Sequence, residues 1–182
     1  MARVPYLDKS DLPTEHQDVL ARPIALNRAF ANSPNASRAM GTLAGYIRHG
    51  SKLDARLREM AILQVGWLAK SPYEWSHHVH LGHEFGVTDD DIRAIAEETA
   101  GRPTKLDELS KTVLRAAREM TNNLAMSDAT FAALEKALGR ESLIDLTLAI
   151  AFYNGVVRIL ATLQIDVEPE YKRYLEEHPL PR

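Results

Sequence analysis

The chain has no cysteine among its 182 residues. Disulfides, thiolate nucleophiles, CxxC redox chemistry and cysteine–zinc sites are excluded together. It also lacks any block of like charge. The formal net charge is -3, so the basic footprint of a nucleic-acid binder is missing and no charged tail stands out. The opening MARVPYLDKSDLPTEHQ is charged and broken by proline, without the apolar centre of a signal peptide. No window reads as the long uncharged apolar run of a membrane helix. These absences make the cytoplasm the expected location, with neither nucleic acid nor membrane as an expected partner. Strand alternation bounded by hairpin turns, solenoid repeats and low-complexity tracts are absent as well.

What is present is helical. Hydrophobic residues make up 45% and charged residues 26%, ordinary for a globular chain long enough to close one core. Residues 1–13 read as an extended lead-in, 14–178 as a single helical domain and 179–182 as a tail. Periodicity predicts a helix from Thr14 to Asn32, kinked or broken at Pro23. The turn Asn32-Ser33-Pro34-Asn35 offers a cap for a second helix, Ala36 to Arg48, which Gly50-Ser51 ends. A third runs from Asp54 to Lys70. Ser71-Pro72 is a cap followed by proline at the first helical position, a strong start for Pro72 to Phe85, and Gly86 stops it. Thr88-Asp89-Asp90-Asp91 opens a fifth. Lys105 to Asn122, Ser127 to Leu138 and Glu141 to Leu163 follow, and Pro169 opens a short last helix. The fold class expected is an all-α bundle of about eight helices.

Two segments are apolar nearly all round, Leu57 to Leu68 and Leu143 to Leu163, and belong in the middle of a bundle or at a subunit interface. Polar residues on them are informative, because a buried charge without a partner costs several kcal/mol. Glu59 shares its helical face with Ala55, Ile62, Leu63 and Gly66, so it needs a cation such as Arg56, Arg58 or a more distant arginine, or else a raised pKa. On the later helix Thr147, Asn154 and Arg158 form one polar stripe with Tyr153 at its side. Arg158 there suits a bidentate grip on a carboxylate, or a plain ion pair with Glu59, Glu74 or Asp145.

Residues 71–84 read SPYEWSHHVHLGHE. Glu74 and His78, at i and i+4, share a face that Leu81 and Phe85 continue, with His77 on its flank. A glutamate beside an imidazole fixes the tautomer and raises its pKa, so His78 can carry a proton near neutral pH. The same pair could instead order the core. Metal binding is not expected. Glu74-x-x-His77 is a lone motif where a di-iron bundle needs two, H-E-x-x-H is absent, and His77, His80 and His83 drift round the helix without converging.

Arg58-Glu59-Met-Ala-Ile-Leu, then Tyr73-Glu74-Trp75-x-x-His78 and the helix opening GVTDDDI together resemble the carboxymuconolactone decarboxylase-like family, within the wider alkyl hydroperoxidase D-like superfamily. In weaker form the likeness runs from about Asn27 to Val167 and takes in Ala151-Phe152-Tyr153-Asn154, Arg158 and Ile165. The resemblance implies an all-α fold assembled as a homotrimer or hexamer. Its peroxidase branch carries a CxxC motif whose positions here are Ser71 and Glu74, so thiol peroxidase activity is not expected. The cysteine-free branch resembles enzymes that decarboxylate or isomerise ring-cleavage products of aromatic acids without metal or organic cofactor.

That resemblance implies a cofactor-independent acid–base enzyme acting on a small unsaturated polycarboxylate or lactone. His78, Glu74 and Glu59 would be catalytic. Arg158, Tyr153, Asn154, Tyr73, Trp75, His77 and Arg58 would surround the substrate, with Arg38 or Arg48 as further carboxylate ligands. His16 and His49 could reach the pocket in an assembly. The rival readings are a non-catalytic ligand-binding or assembly module of the same fold and a histidine-rich metal protein.

Overall fold

A computed structural model describes residues 2–181. Among them lie eight α-helices and no strand: α1 Ala25–Phe30, α2 Pro34–Gly45, α3 Ala55–Leu68, α4 Pro72–Glu84, α5 Asp89–Thr99, α6 Glu108–Asn123, α7 Asp128–Leu163 and α8 Lys172–Glu177. The all-α class expected from the sequence is what forms. Several boundaries follow from side-chain caps. Asp54 accepts the Leu57 amide, Asp107 that of Ser110 and Ser127 that of Thr130, while Thr88 and Asp91 close a reciprocal capping box.

Three expectations need correction. The single helix from Thr14 to Asn32 is a 3-10 turn, Thr14–Leu20, and then the short α1, because Pro23 ends the first and cannot join the second. The lead-in is not wholly extended: Lys9–Asp11 forms a 3-10 turn, and Arg3 N–H donates to the Leu163 carbonyl at 2.8 Å. The helices from Ser127 and from Glu141 are one run, α7, kinked at Gly139 with φ 73° and ψ 168°, a conformation that favours glycine.

The core has two parts, with α3 between them. One gathers α1, α3, α6 and α7 around Ile62, Val65, Leu146 and Ile150. The other packs Met60, Leu63, Trp75, Val79, Ile92, Ile95 and Tyr174 between α3, α4, α5 and α8. Each large side chain removed from water in this way contributes roughly 1.5–3 kcal/mol. Every residue of α3 from Leu57 to Gly66 is buried, so its Arg58 and Glu59 must find partners inside the protein.

Helix α7 departs from the uniform burial its sequence suggests. Tyr153, Val156 and Leu160 face the core, but Ile144 is 61% exposed and Phe131 45%. By length and composition α7 could cross a membrane, contrary to the sequence expectation. Its kink at Gly139 and its core-packed face seat it against α3 and α6 in the bundle.

Between α2 and α3 the chain widens into a π-helical turn, Tyr46–Gly50. Such turns are rare and recur at functional sites. Buried Asp145 of α7 holds this one, accepting from Tyr46 Oη at 2.7 Å, Ser51 Oγ at 2.8 Å and the Lys52 amide at 3.1 Å. The anchor fixes where Arg48 and His49 point.

Candidate functional site

Four charged side chains form a chain through the interior. Arg58 Nε donates to Glu59 Oε1 at 3.0 Å. Glu59 Oε2 lies 2.6 Å from His78 Nδ1. His78 Nε2 stands 2.9 Å from Glu74 Oε1. Relative exposure is 3% for Arg58, 1% for Glu59, 5% for His78 and 3% for Glu74, so bulk water screens none of them. Two cations face two anions, which keeps the buried group neutral. The last contact is off the line of a straight N–H···O bond, and Glu74 Oε1 accepts no straight hydrogen bond among the described residues.

Glu74 and His78 open onto a cavity of about 240 Å³, slightly below the roughly 300–1,000 Å³ usual for small-molecule sites. Tyr73, His77 and Tyr153 also line it, as do Leu26 and Phe30 of α1 and Arg48 and His49 of the π-helical turn. Tyr153 presents its ring edge-on to His78, centroids 4.9 Å apart. Burial, then the Glu74 and Glu59 carboxylates, push the Tyr153 phenol well above its ordinary range, so it stays a donor.

His77 is held differently. Its ring stacks between Tyr73 and Tyr171, centroids 4.1 and 3.7 Å away, and its Nε2 lies 2.8 Å from Glu168 Oε2. Burial lowers the His77 pKa despite Glu168. The other Glu168 oxygen accepts from the Ala25 amide at 2.7 Å and Tyr73 Oη at 3.2 Å, tying α1 to α4.

The proton affinities of the two adjacent histidines are thus pushed in opposite directions. For His78 burial alone would remove the proton, but Glu74 and Glu59 outweigh it and raise the pKa from 6.5 to about 9. For Glu59 burial would favour the neutral acid, but His78 and Arg58 outweigh it and keep the carboxylate ionised. The folded protein therefore binds the His78 proton more tightly than the unfolded chain does. This contribution, on the order of 3 kcal/mol, is complete below pH 6.5 and is lost as pH rises through about 9. Urea titrations between pH 6.5 and 9.5 should show stability falling with pH, and His78→Gln should flatten that slope. A slope unchanged by the substitution would place the proton elsewhere.

Glu59, Glu74 and His78 converge, and Tyr73, His77 and Tyr153 join them. Five residues expected around the substrate lie elsewhere. Arg158 is exposed and donates to the Asn154 carbonyl of its own helix and to Asn154 Oδ1. The exposed helix end offers that partner one turn away, so it pairs with none of Glu59, Glu74 and Asp145. Asn154 bonds Thr121 and the Ile150 carbonyl, its amide turned toward α6. Trp75 is locked in the second core, its indole N–H donating to the His178 carbonyl at 2.7 Å. Arg58 lies behind Glu59 with its guanidinium 4.7 Å from the Phe85 ring centroid, away from the cavity wall. Arg38 is engaged by Asp18 and by His16. The sequence reading overlooked Glu168 and Arg22. Arg22 and Arg48 line the cavity, and neither pairs with a carboxylate among the described residues.

Known proteins share this architecture. The AhpD-core peroxidase-related protein of Ralstonia eutropha JMP134 superposes with a TM-score of 0.80 at 16% identity, covering 99% of this chain and 98% of that one. The debrominase Bmp8, solved in complex with 2,3,4-tribromopyrrole, gives 0.80 at 18% identity and 97% coverage of both. A peroxidase-related protein of Silicibacter sp. TM1040 gives 0.73 at 19% identity, covering 99% and 94%. A comparison with curated proteins gives no match. Residues 34–119, which carry Arg58, Glu59, Glu74 and His78, match the Carboxymuconolactone decarboxylase family. The chain thus has an AhpD-like all-α fold and no cysteine, and its residues 34–119 are similar to the Carboxymuconolactone decarboxylase family.

Proposed function

We propose that the protein is a cofactor-independent acid–base enzyme acting on a small unsaturated polycarboxylate or lactone of the kind released by aromatic ring cleavage. One observation carries this reading. A buried carboxylate, Glu74, lies in the cavity wall with no hydrogen-bond donor squarely on its Oε1 and a charged imidazole 2.9 Å from that atom. That is the arrangement of a base backed by a proton store. The family match of residues 34–119 supports the substrate class.

In this reading Arg48, which the sequence reading named beside Arg158 and Arg38, holds the substrate carboxylates together with Arg22. Glu74 takes a proton from the carbon beside a conjugated carbonyl, and the electron pair moves onto that oxygen. Tyr153 donates a hydrogen bond to the resulting enolate. Return of the proton at the far end of the conjugated system shifts the double bond. In the decarboxylating variant the carbon–carboxylate bond breaks instead, CO₂ leaves, and the vacated carbon takes a proton supplied through Glu74 from His78. Solvent returns that proton between turnovers, and Glu59, itself kept ionised by Arg58, holds His78 charged.

The test is incubation with muconate, carboxymuconolactone and methoxy-substituted ring-cleavage acids in deuterated water, followed by proton NMR. The expected trace is one deuterium at carbon with either a migrated double bond or lost CO₂. No exchange and no turnover across the panel would leave only a binding module. The proposal extends to a homo-oligomer, which the apolar outer face of α7 around Ile144 and Phe131 supports, and to a cytoplasmic location.

A further inference from the structure

Outside the cavity, three side chains converge that the acid–base chemistry does not use. His83 ends α4, Asp89 begins α5, and His178 follows α8. His83 Nε2 lies 3.0 Å from Asp89 Oδ1. His178 Nε2 lies 3.2 Å from the same oxygen, but off a hydrogen-bonding line. All three donor atoms fall within 4.8 Å of one another. We propose that His83, Asp89 and His178 bind a divalent transition-metal ion of the zinc class, which clamps the C-terminal segment onto the α4–α5 corner.

The spacing fits the chemistry. Zinc takes histidine nitrogen and carboxylate oxygen at about 2.0–2.2 Å, which puts neighbouring donors about 2.9 Å apart in an octahedron and about 3.4 Å apart in a tetrahedron. The two measured approaches lie between these values. Two imidazoles and one carboxylate form a borderline-soft set that suits zinc, cobalt or nickel over magnesium or calcium. The shared oxygen is hydrogen-bonded with His83, while His178 meets it at ion-pair distance off a hydrogen-bonding line. Metal would replace the proton between each ring nitrogen and the carboxylate. Side-chain exposures of 36% for His83, 57% for Asp89 and 9% for His178 give an ion access from solvent and leave room for water as further ligands.

The protein around the site is built to receive such a clamp. The His178 carbonyl already accepts from Trp75 Nε1, so the residue is positioned from its backbone side. His80, the next histidine along α4, is engaged by Tyr174 Oη at 2.9 Å and Glu84 at 3.4 Å and stays outside the cluster. Spacing along α4 could not reveal the site, since two of its three donors come from other elements.

The experiment uses the full chain without a histidine tag, dialysed against zinc chloride and against cobalt chloride. One equivalent of zinc per chain is expected, together with a visible cobalt absorption band. At a hundredfold excess of zinc over its dissociation constant the Tm should rise by about 5–10 °C. Asp89→Asn and His178→Ala should each abolish all three signals, while His80→Ala keeps them. Absence of saturable binding, or binding that survives both Asp89→Asn and His178→Ala, overturns the proposal. Far-UV circular dichroism of each variant shows whether it is folded. The outcome is independent of turnover, so it stands apart from the acid–base reading.

Discussion

Replacing His78 with glutamine lowers turnover by about 10²–10⁴-fold while the helical fold persists, the loss typical for a positioned proton carrier. Glutamine keeps hydrogen-bonding groups near Glu59 and Glu74 but cannot become a cation. Glu74 then faces the cavity without its charged neighbour, and the proton that His78 stored is gone. The result should also depend on pH. The parent should lose rate as His78 gives up its proton near pH 9, and the variant should lack that decline. A rate profile against pH, read by the same NMR assay with circular dichroism as the control for folding, checks both parts. An unchanged rate removes His78 from the reaction.

Arg58→Met is the substitution with the largest expected effect on stability. Arg58 is nearly isosteric with methionine along its stem, so the stem packing beside Phe85 is largely kept. What goes is the cation on Glu59, a carboxylate with 1% relative exposure. Removing one partner of a buried pair costs about 3–5 kcal/mol, because the remaining charge stays buried. For a chain of this size that lowers the Tm by roughly 6–20 °C. The double variant Arg58→Met with Glu59→Gln should recover much of the loss, since no lone charge is then left inside. By contrast Arg93→Ala, which removes an exposed pair with Asp90, should leave the melting curve in place. A single variant as stable as the parent would show that His78 alone neutralises Glu59.

The parts of this protein that were legible in its sequence are the local ones. Thr88 followed by three aspartates predicts a capped helix, and a capping box forms there. The i, i+4 spacing of Glu74 and His78 places them on one face, and the side chains meet at 2.9 Å. Glu59 on an apolar helix demanded a cation, which it has. Adjacent residues on a helix do not normally face each other, and Arg58 reaches Glu59 only because its long side chain folds back under Phe85. Arg158 misled for the opposite reason. A polar stripe on an apolar helix looks functional, but α7 is exposed on that side and the stripe is satisfied by its own carbonyls. Trp75 sits beside Glu74 in sequence yet a third of a turn round the helix, which turns it into the other core. Glu168 left no local signal, since its contacts with His77 are 91 residues away along the chain. Neither helical periodicity nor capping foretells the π-helical turn at Tyr46–Gly50, which places Arg48 and His49 in the cavity wall.

That turn separates two tasks. In the proposed reaction the proton path is carried by α3 and α4, two rigid cylinders whose packing leaves little latitude for change. Arg48 and His49 sit on five residues held by Asp145 of α7 and, at the Arg48 carbonyl, by Arg58 of α3. Changes confined to the Arg48 and His49 side chains leave both anchors and the buried Ile47 in place. An engineer seeking to alter which acid this cavity admits should begin with those two positions and leave the helices alone.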